Sequence, residues 1–269
     1  MPRFAASVMF LFTEAPFEDR FELARRAGFR AVECQNPYDW PIENIRRRLD
    51  DAELEMVLVN APAGDGKKGE RGFAALSGRE NDFRESLARG LDCARALSCS
   101  RLHVLAGTMP EGADVAEMGR TYVANLRFAA ERAAREGVRV LIEPLNAIDA
   151  PGYFLSGMEQ ARALADAVGH PNLWLQYDVY HAAMSGAEIV DTFRRHASRI
   201  AHIQIAGTPG RHEPTPSEIP YGELFALFDS HGYDGWIGCE YRPRAGTLEG
   251  LSWAAPYGLV PLGNRPRRG

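Results

Sequence analysis

Short apolar runs alternate with longer amphipathic segments from one end of this chain to the other. The apolar runs span 4–12, 31–35, 56–61, 101–107, 138–144, 173–178, 200–206 and 236–241. Near-continuous apolar runs of this length are typical of parallel strands that are covered on both faces. The alternation therefore predicts parallel strands connected by helices.

The segments between these runs carry helical signals. Apolar side chains recur at steps of three and four residues within 115–136, which indicates one buried helix face. The predicted face consists of Met118, Tyr122, Leu126, Ala129 and Ala133. Gly28 and Gly137 each stand where a helix should end before the next strand. Ser156, with Glu159 three residues later, matches a capping box and predicts a helix N-cap at Ser156.

Eight strands with helices between them in about 250 residues match the arithmetic of a (β/α)8 barrel. A doubly wound sheet is the alternative, but its dinucleotide-binding and P-loop glycine motifs are both missing. The glycine-rich stretch 63–72 contains no GK[ST] and does not open onto a helix. We therefore expect an α/β fold with one domain, a TIM barrel over 1–260, and a flexible C-terminal tail over 261–269.

The bulk composition narrows the class of protein. The 269 residues are 45% hydrophobic and 25% charged, which is enough apolar material for a large core. The net charge of −5 and the pI near 5.9 argue against a general nucleic-acid-binding surface. The four cysteines form no CxxC pair, so we expect reduced thiols in a cytoplasmic protein. No apolar run approaches the roughly 20 residues that span a bilayer, so we expect no membrane partner.

Polar side chains stand near the carboxyl ends of the second to eighth predicted strands. Active sites of (β/α)8 barrels form at this end, whereas a barrel with a purely structural role would place apolar side chains there. The polar residues are Glu33, Asn60, His103, Glu143, Asp178, His181, His202, Gln204 and Glu240. His196 and His231 instead fall in helical stretches and are interpreted as surface residues.

The last strands contribute a set of oxygen donors to this predicted site. The donors are Glu143, Asp178, Gln204 and Glu240. Three carboxylates that converge in a barrel mouth repel one another unless a cation lies among them. Ligands that are all oxygen favour a hard divalent ion, Mg²⁺ or Mn²⁺, over zinc. A single carboxylate of this kind could equally be a helix cap or an ion-pair partner, and for Glu33 the structural and functional interpretations both stay open.

Several motifs resemble those of the hydroxypyruvate isomerase family. They are IEPLN at 142–146, QYDVYH at 176–181, HIQIAGTPGRHEP at 202–214, GYDGWIGCEYRP at 232–243, and GERG and GREN within 69–81. That family belongs to the xylose-isomerase-like TIM barrels, which also include ketose 3-epimerases and endonuclease IV. The similarity runs through nearly the whole chain, and PGRHEP and CEYRP are specific where IEP alone is not.

The resemblance implies an aldose–ketose type isomerisation of hydroxypyruvate to tartronate semialdehyde. It implies that Glu143, Asp178, Gln204 and Glu240 are the metal ligands. It also implies that Glu143 and Glu240 act as the acid–base pair, although the sequence leaves open which one is the base. Moving a carbonyl group to the next carbon requires removal of an alpha proton, and a divalent cation would supply the charge that the cis-enediolate needs.

Other side chains are candidates for binding the small anionic hydroxy-oxo acid. His181 and Arg211 match positions that contact substrate in relatives of this family. His103 is a further candidate, although both histidines could also be structural. The substrate carboxylate needs a cation, which Arg211, Arg71 or Arg242 could supply as a bidentate partner. The segment 63–72 could be a lid that brings in Arg71, or simply a solvated loop.

The chain also departs from its family, and these departures bear on the substrate. The family usually has a polar residue and an arginine where this chain has Ala147 and Ile148, and often a Met-Gln pair where it has Ala182-Ala183. An isomerase of the longer acid 2-oxotetronate and a ketose 3-epimerase therefore stay open. A DNA repair enzyme like endonuclease IV would need a histidine-rich three-zinc site and a basic surface. A non-catalytic sugar-acid-binding protein is disfavoured by the two intact glutamates. The sequence leaves the oligomeric state open, a homo-oligomer included.

Overall fold

The computed structural model describes residues 1–215 and 219–262 of the chain. Within them, parallel strands follow one another in a closed barrel in the order β1 to β8. The strands are β1 Phe4–Ser7, β2 Ala31–Cys34, β3 Glu55–Asn60, β4 Arg101–His103, β5 Arg139–Ile142, β6 Leu173–Asp178, β7 Ile200–Ile205 and β8 Ile237–Cys239. The predicted (β/α)8 TIM-barrel fold is confirmed.

Helices connect successive strands, as the periodicity predicts. They are α1 Arg20–Arg26, α2 Ile42–Asp51, α3 Glu80–Ala96, α4 Val115–Ala134, α5 Met158–Val168, α6 Val179–Met184, α7 Ile189–His196, α8 Tyr221–Ser230 and α9 Thr247–Gly250. Short 3-10 turns flank several of them. In the part of the chain that the structure describes, no helix combines the length and the apolar character that a bilayer crossing requires.

The chain divides into two compact units, which are described separately. The first unit comprises 1–57 and 202–269, and there β1 pairs with β2 and β8, while β7 pairs with β8. These strands are buried on both faces, as continuous apolar runs require. Ala5, Ala31, Val57 and Trp236 form one of its core clusters.

The second unit comprises 58–201, and there β3 pairs with β4, β4 with β5, and β5 with β6. The face predicted for α4 is buried throughout, from Met118 to Ala133. Asp114 caps the helix, because its Oδ1 accepts the amides of Ala116 and Glu117 at 2.8 and 3.2 Å. Gly137 follows α4 with a φ of 70°, a conformation that favours glycine, as a helix C-terminus predicts.

Two expectations about local structure were wrong. The first apolar run, 4–12, is a strand only as far as Ser7, whose carbonyl accepts the amides of Phe10 and Leu11 and starts a turn. Leu11 and Phe12 are buried from within that turn, so their apolar character reflects the core and not a strand. The capping box at Ser156 does not form. Gly157 is the N-cap of α5, and the Ser156 amide donates to Oε1 of Gln160 at 3.0 Å.

The predicted surface position of His196 was also wrong, whereas that of His231 is confirmed. His196 is only 2% exposed, because it lies on the same buried face of α7 as Thr192 and Phe193. Its Nε2 lies 3.3 Å from Oε1 of Glu159, the residue assigned to the capping box. The predicted tail over 261–269 falls, from residue 263 onward, outside the described residues, and the single-domain boundary at 260 stays a prediction.

The four cysteines, Cys34, Cys93, Cys99 and Cys239, are buried and form no disulfide with one another. Burial raises the pKa of Cys99 to about 12, and it also raises the pKa of Cys239 well above its ordinary value. Both thiols are therefore protonated near neutral pH, which makes them poor nucleophiles. The cysteines belong to the core and not to the candidate chemistry.

Candidate active site

In the second unit, strands β5 and β6 each deliver one carboxylate at the carboxyl end. Glu143 directly follows β5, and Asp178 is the last residue of β6. Asp178 also caps α6, because its Oδ1 accepts the Tyr180 amide at 2.8 Å. Pro144, which has no amide hydrogen to donate, follows Glu143, so the chain does not resume strand pairing there. Both acids thus lie at the carboxyl end of a strand.

Glu143, Asp178 and His181 form a buried cluster, with exposures of 6%, 3% and 5%. Each offers one ligand atom, and these atoms all lie within 4.8 Å of one another. Oε2 of Glu143 is also 3.5 Å from Nδ1 of His103, the last residue of β4. Two buried carboxylates this close repel each other unless a cation is bound. The donor set at this end of β5 and β6 could therefore hold a metal ion.

Asn146 is a buried residue of this cluster that the sequence analysis did not single out as functional. Its backbone amide donates to Nδ1 of His181 at 3.2 Å, and its side-chain Nδ2 lies 2.7 Å from the same nitrogen. Its Oδ1 accepts the amides of Ile148 and Asp149 at 3.0 and 2.9 Å. The turn places Ile148, where the family usually has an arginine, 70% exposed. The only sequence signal for Asn146 was its place at the end of the IEPLN motif.

Arg71 lies at the end of the predicted lid segment, 63–72, and reaches the turn after β5. Its guanidinium donates to the Asp149 carbonyl at 3.1 Å. The segment is closed by a bond from the Gly72 amide to the Ala63 carbonyl at 2.8 Å. Within it, Oε2 of Glu70 accepts the Asp65 amide at 2.7 Å. The Arg71 guanidinium thus lies at the turn that carries Ala147 and Ile148. The resemblance implies an arginine within this turn, whereas here the arginine comes from the segment 63–72.

Tyr153 is a second residue that the sequence analysis missed. Its hydroxyl oxygen accepts a hydrogen bond from the Ala106 amide at 2.8 Å, and its side chain is buried. Burial raises the pKa of Tyr153, the Glu143 carboxylate raises it further, and the Arg71 guanidinium opposes the shift. The phenol is therefore neutral at physiological pH. The same electrostatic relations show that Glu143 and Arg71 both act on one buried hydroxyl.

A cavity of about 300 Å³ opens beside Asp178 and His181 within the second unit. Its wall includes Ala182, Met158 and Thr192. Small-molecule sites begin at about this size. Ala182 is the first of the two alanines that stand where the resemblance implies a Met-Gln pair. Its methyl group is smaller than a methionine side chain and lies in the wall of this cavity.

In the first unit, Gln204 is held by Glu33, and both side chains are fully buried. Oε1 of Glu33 accepts Nε2 of Gln204 at 2.8 Å and Nε2 of Gln35 at 2.9 Å, while its Oε2 lies 2.7 Å from Nε2 of His202. The space is tight, because a Cβ at Gly238 would lie 2.2 Å from Oε2 of Glu33. The amide nitrogen of Gln204 donates to Glu33, and Oε1 is the atom of this side chain that has the lone pairs to ligate a cation.

Glu240 directly follows β8, also in the first unit, and is paired with Arg211. Nη2 of Arg211 donates to Oε1 of Glu240 at 2.9 Å, and its Nε donates to the Glu240 carbonyl at 3.3 Å. The Arg211 guanidinium lies 5.0 Å from the ring centre of Phe10, and that of Arg242 lies 5.8 Å from the same ring. Arg211 has a φ of 53°, a left-handed conformation that costs roughly 1–2 kcal/mol outside glycine. The backbone of the PGRHEP motif bears this strain where it brings the guanidinium to Glu240.

Comparison with known proteins places this arrangement in a family. The sequence model described as "Xylose isomerase-like TIM barrel" matches residues 21–257. The chain belongs to this family. A 2-oxo-tetronate isomerase from Cupriavidus necator is 49% identical over 257 residues, which cover 96% of this chain and 99% of that protein. A hydroxypyruvate isomerase from Escherichia coli is 44% identical, with 96% of this chain and 100% of that protein covered.

Among solved structures, one described as an AP endonuclease, family 2, from Brucella melitensis has a TM-score of 0.93 to this xylose-isomerase-like barrel. It is 44% identical, and the match covers 96% of this chain and 99% of that one. The curated relatives are named isomerases and match over nearly their full length, so this chain is an isomerase. The resemblance seen in the motifs is confirmed at the level of the family and of the class of enzyme.

Proposed function

We propose that this isomerase interconverts hydroxypyruvate and tartronate semialdehyde with the help of a bound Mg²⁺ or Mn²⁺. The observation that carries the proposal is the pair of buried carboxylates, Glu143 and Asp178, at the ends of neighbouring strands. The proposed ligands are Glu143, Asp178, Gln204 and Glu240. The hydrogen bond that holds the Gln204 amide nitrogen on Glu33 and the oxygen-rich donor set support this assignment.

The proposed chemistry is a proton transfer between neighbouring carbons of the acid. One of the two glutamates, Glu143 or Glu240, removes the proton alpha to the carbonyl, and the acid–base pair returns a proton to the adjacent carbon. The bound cation would supply positive charge for the two oxygens of the cis-enediolate. Burial of both glutamates keeps water from competing for the proton.

The remaining candidates bind and orient the acid in this proposal. Arg211 is held by Glu240 and by Phe10, so its guanidinium is fixed before substrate arrives. Arg71 supplies a cation at the turn after β5, and Arg242 is a third cation near Phe10. His103, whose Nδ1 lies 3.5 Å from Oε2 of Glu143, is a further candidate for contact with the acid. His181 would contact the substrate oxygen.

A second candidate substrate is 2-oxo-tetronate, the acid in the name of the Cupriavidus relative. The observation that favours it is the cavity beside Asp178 and His181, where Ala182 replaces a larger residue frequent in the family. 2-Oxo-tetronate has one carbon more than hydroxypyruvate and therefore needs a larger pocket. The two substrates share the same chemistry, so the choice between them concerns only the shape of the pocket.

The test is a proton-NMR assay of both acids with purified protein, after chelation and after addition of Mg²⁺ or Mn²⁺. We expect turnover only with metal, and a loss of about 10²- to 10⁴-fold in kcat/KM for Glu143→Gln. Glu55→Gln, at the exposed start of β3, is the matched control and should keep the activity. Absence of turnover for both acids with either metal would overturn the proposal.

The name of the Brucella structure raises DNA cleavage as another outcome. Within 1–215 and 219–262, the only cluster of three His, Cys, Asp or Glu side chains close enough to hold a metal is Glu143, Asp178 and His181. We propose that this acidic protein acts in the cytoplasm and binds its small anionic substrate, but no nucleic acid and no membrane. A homo-oligomer is compatible with this proposal. Cleavage of an oligonucleotide with an abasic site would contradict this assignment.

A further inference from the structure

The two nitrogens of the His181 ring face different kinds of groups. Nδ1 faces the backbone amide of Asn146 at 3.2 Å and its side-chain Nδ2 at 2.7 Å, while Nε2 lies 3.6 Å from Oδ2 of Asp178. A backbone amide can only donate, so Nδ1 must accept and cannot carry the proton. The proton of the neutral ring therefore sits on Nε2.

The orientation of the Asn146 side chain is fixed by its other contacts. Its Oδ1 accepts the amides of Ile148 and Asp149, and its Nδ2 also donates to Oδ2 of Asp149 at 3.2 Å. Exchange of the oxygen and nitrogen would place an NH₂ group against two amide hydrogens and an oxygen against a carboxylate. Asn146 is 1% exposed, so water cannot relieve such contacts. The amide nitrogen therefore faces His181.

We propose that Asn146 is a positioning residue that holds His181 in the Nε2–H form, and with it outside the metal-ligand set. This inference rests on the proposed function, because it assigns roles within the same site. A histidine ligates a cation through a nitrogen that carries no proton, and the nitrogen without a proton here is occupied by Asn146. The proton on Nε2 makes this nitrogen a donor, and it faces an oxygen, Oδ2 of Asp178, at 3.6 Å. Of the three clustered residues, Glu143 and Asp178 bind the metal, and His181 donates a hydrogen bond to a substrate oxygen.

The direct test is ¹⁵N NMR of the metal-free protein labelled at histidine, with the His181 signals assigned by their loss in His181→Gln. We expect an Nδ1 without a proton and a protonated Nε2. In Asn146→Asp a carboxylate oxygen faces Nδ1 beside the backbone amide, which remains, and the caps of Ile148 and Asp149 are kept. The fraction of His181 rings that carry a proton on Nδ1 should therefore rise above that of wild type. Asn44→Asp, the same change on α2, is the matched control and should leave the spectrum unchanged. A wild-type ring that is protonated at Nδ1 would overturn the inference.

A second measurement does not depend on how Asn146→Asp folds. Titration of Mn²⁺ into His181→Gln should give a Kd within about threefold of wild type, whereas Asp178→Asn should weaken binding by about tenfold or more, since it removes a ligand. An equal loss in both variants would make His181 a ligand and would contradict the assignment. If neither acid is turned over but the spectrum and the titration agree with expectation, the proposed function fails while the role of Asn146 stands.

Discussion

Glu33 is the buried carboxylate on which the orientation of a proposed metal ligand depends. It is fully buried and accepts side-chain hydrogen bonds from Gln35 and Gln204 on one oxygen, and contacts His202 on the other. Replacing it with alanine leaves these polar groups buried without their acceptor. Breaking a buried interaction of this kind costs about 3–5 kcal/mol of unfolding free energy.

The graded variant Glu33→Gln separates charge from shape. A glutamine keeps one oxygen for Gln35 and Gln204, but it loses the charge on the contact with His202. Since hydrogen bonds to charged groups contribute about 1.5–3 kcal/mol, we expect a loss near the lower end of that range. For Glu33→Ala the amide of Gln204 also loses its fixed direction. Changes to such outer partners typically lower metal affinity about 10- to 100-fold.

Urea unfolding followed by tryptophan fluorescence measures the stability, and calorimetric titration with Mn²⁺ measures the affinity. Glu55→Ala is the matched control, because Glu55 is exposed and accepts a hydrogen bond from Nε1 of Trp236 at 3.2 Å. We expect it to stay within about 0.5–1 kcal/mol of wild type. A Glu33→Ala variant that is as stable as Glu55→Ala, or one that loses stability but binds Mn²⁺ as tightly as wild type, would contradict this role of Glu33.

Two further predictions concern the cavity and the response to acid. Ala182→Met should fill the cavity and lower kcat/KM for 2-oxo-tetronate about 10- to 100-fold relative to hydroxypyruvate, while Ala183→Met, whose side chain does not line it, should leave the ratio unchanged; an equal effect on both acids would exclude the cavity as a subsite. The pKa of Glu14 is lowered from 4.5: burial opposes the shift, but hydrogen bonds from its own amide and from the amide and hydroxyl of Thr247 outweigh it. A carboxyl group whose pKa is lower in the folded than in the unfolded state stabilises the fold at pH values above its unfolded-state pKa. This stabilisation is lost as the pH falls through the folded-state pKa. The stability difference between wild type and Glu14→Gln should therefore be present at neutral pH and shrink below 4.5; a difference that grows on acidification would contradict it.

The fold was predictable because its signals are periodic. Apolar runs of strand length and the face from Met118 to Ala133 follow from the geometry of buried strands and helices, and the structure contains both. The ends of elements were less predictable. At Ser7 the strand ends because its carbonyl accepts two amides of the following turn, and at Ser156 the amide donates to the side chain of Gln160. Both contacts depend on the positions of neighbouring residues, which the apolar pattern does not reveal.

The candidate site divides in the same way. Glu143 and Asp178 could be found from sequence, because a carboxylate at the end of an apolar strand is a local pattern. Asn146 and Tyr153 could not, since their roles depend on which atoms they face after the turn at 146–153 has formed. His196 was predicted at the surface but is buried, because α7, although rich in charged residues, has one buried face.

The polarity of hydrogen bonds is what converts these positions into chemistry. Gln204 and His181 each have two atoms that could face a cation or a substrate, and the sequence does not distinguish them. In each case one neighbour decides: Glu33 takes the amide nitrogen of Gln204, and Asn146 takes the ring nitrogen Nδ1 of His181. The first contact leaves the Gln204 oxygen as the proposed ligand atom, and the second places the proposed His181 proton on Nε2, which lies 3.6 Å from Oδ2 of Asp178. Substitutions at Glu33 should therefore lower metal affinity more than substrate affinity, and substitutions at Asn146 should lower substrate affinity more than metal affinity, although neither residue is itself a proposed ligand.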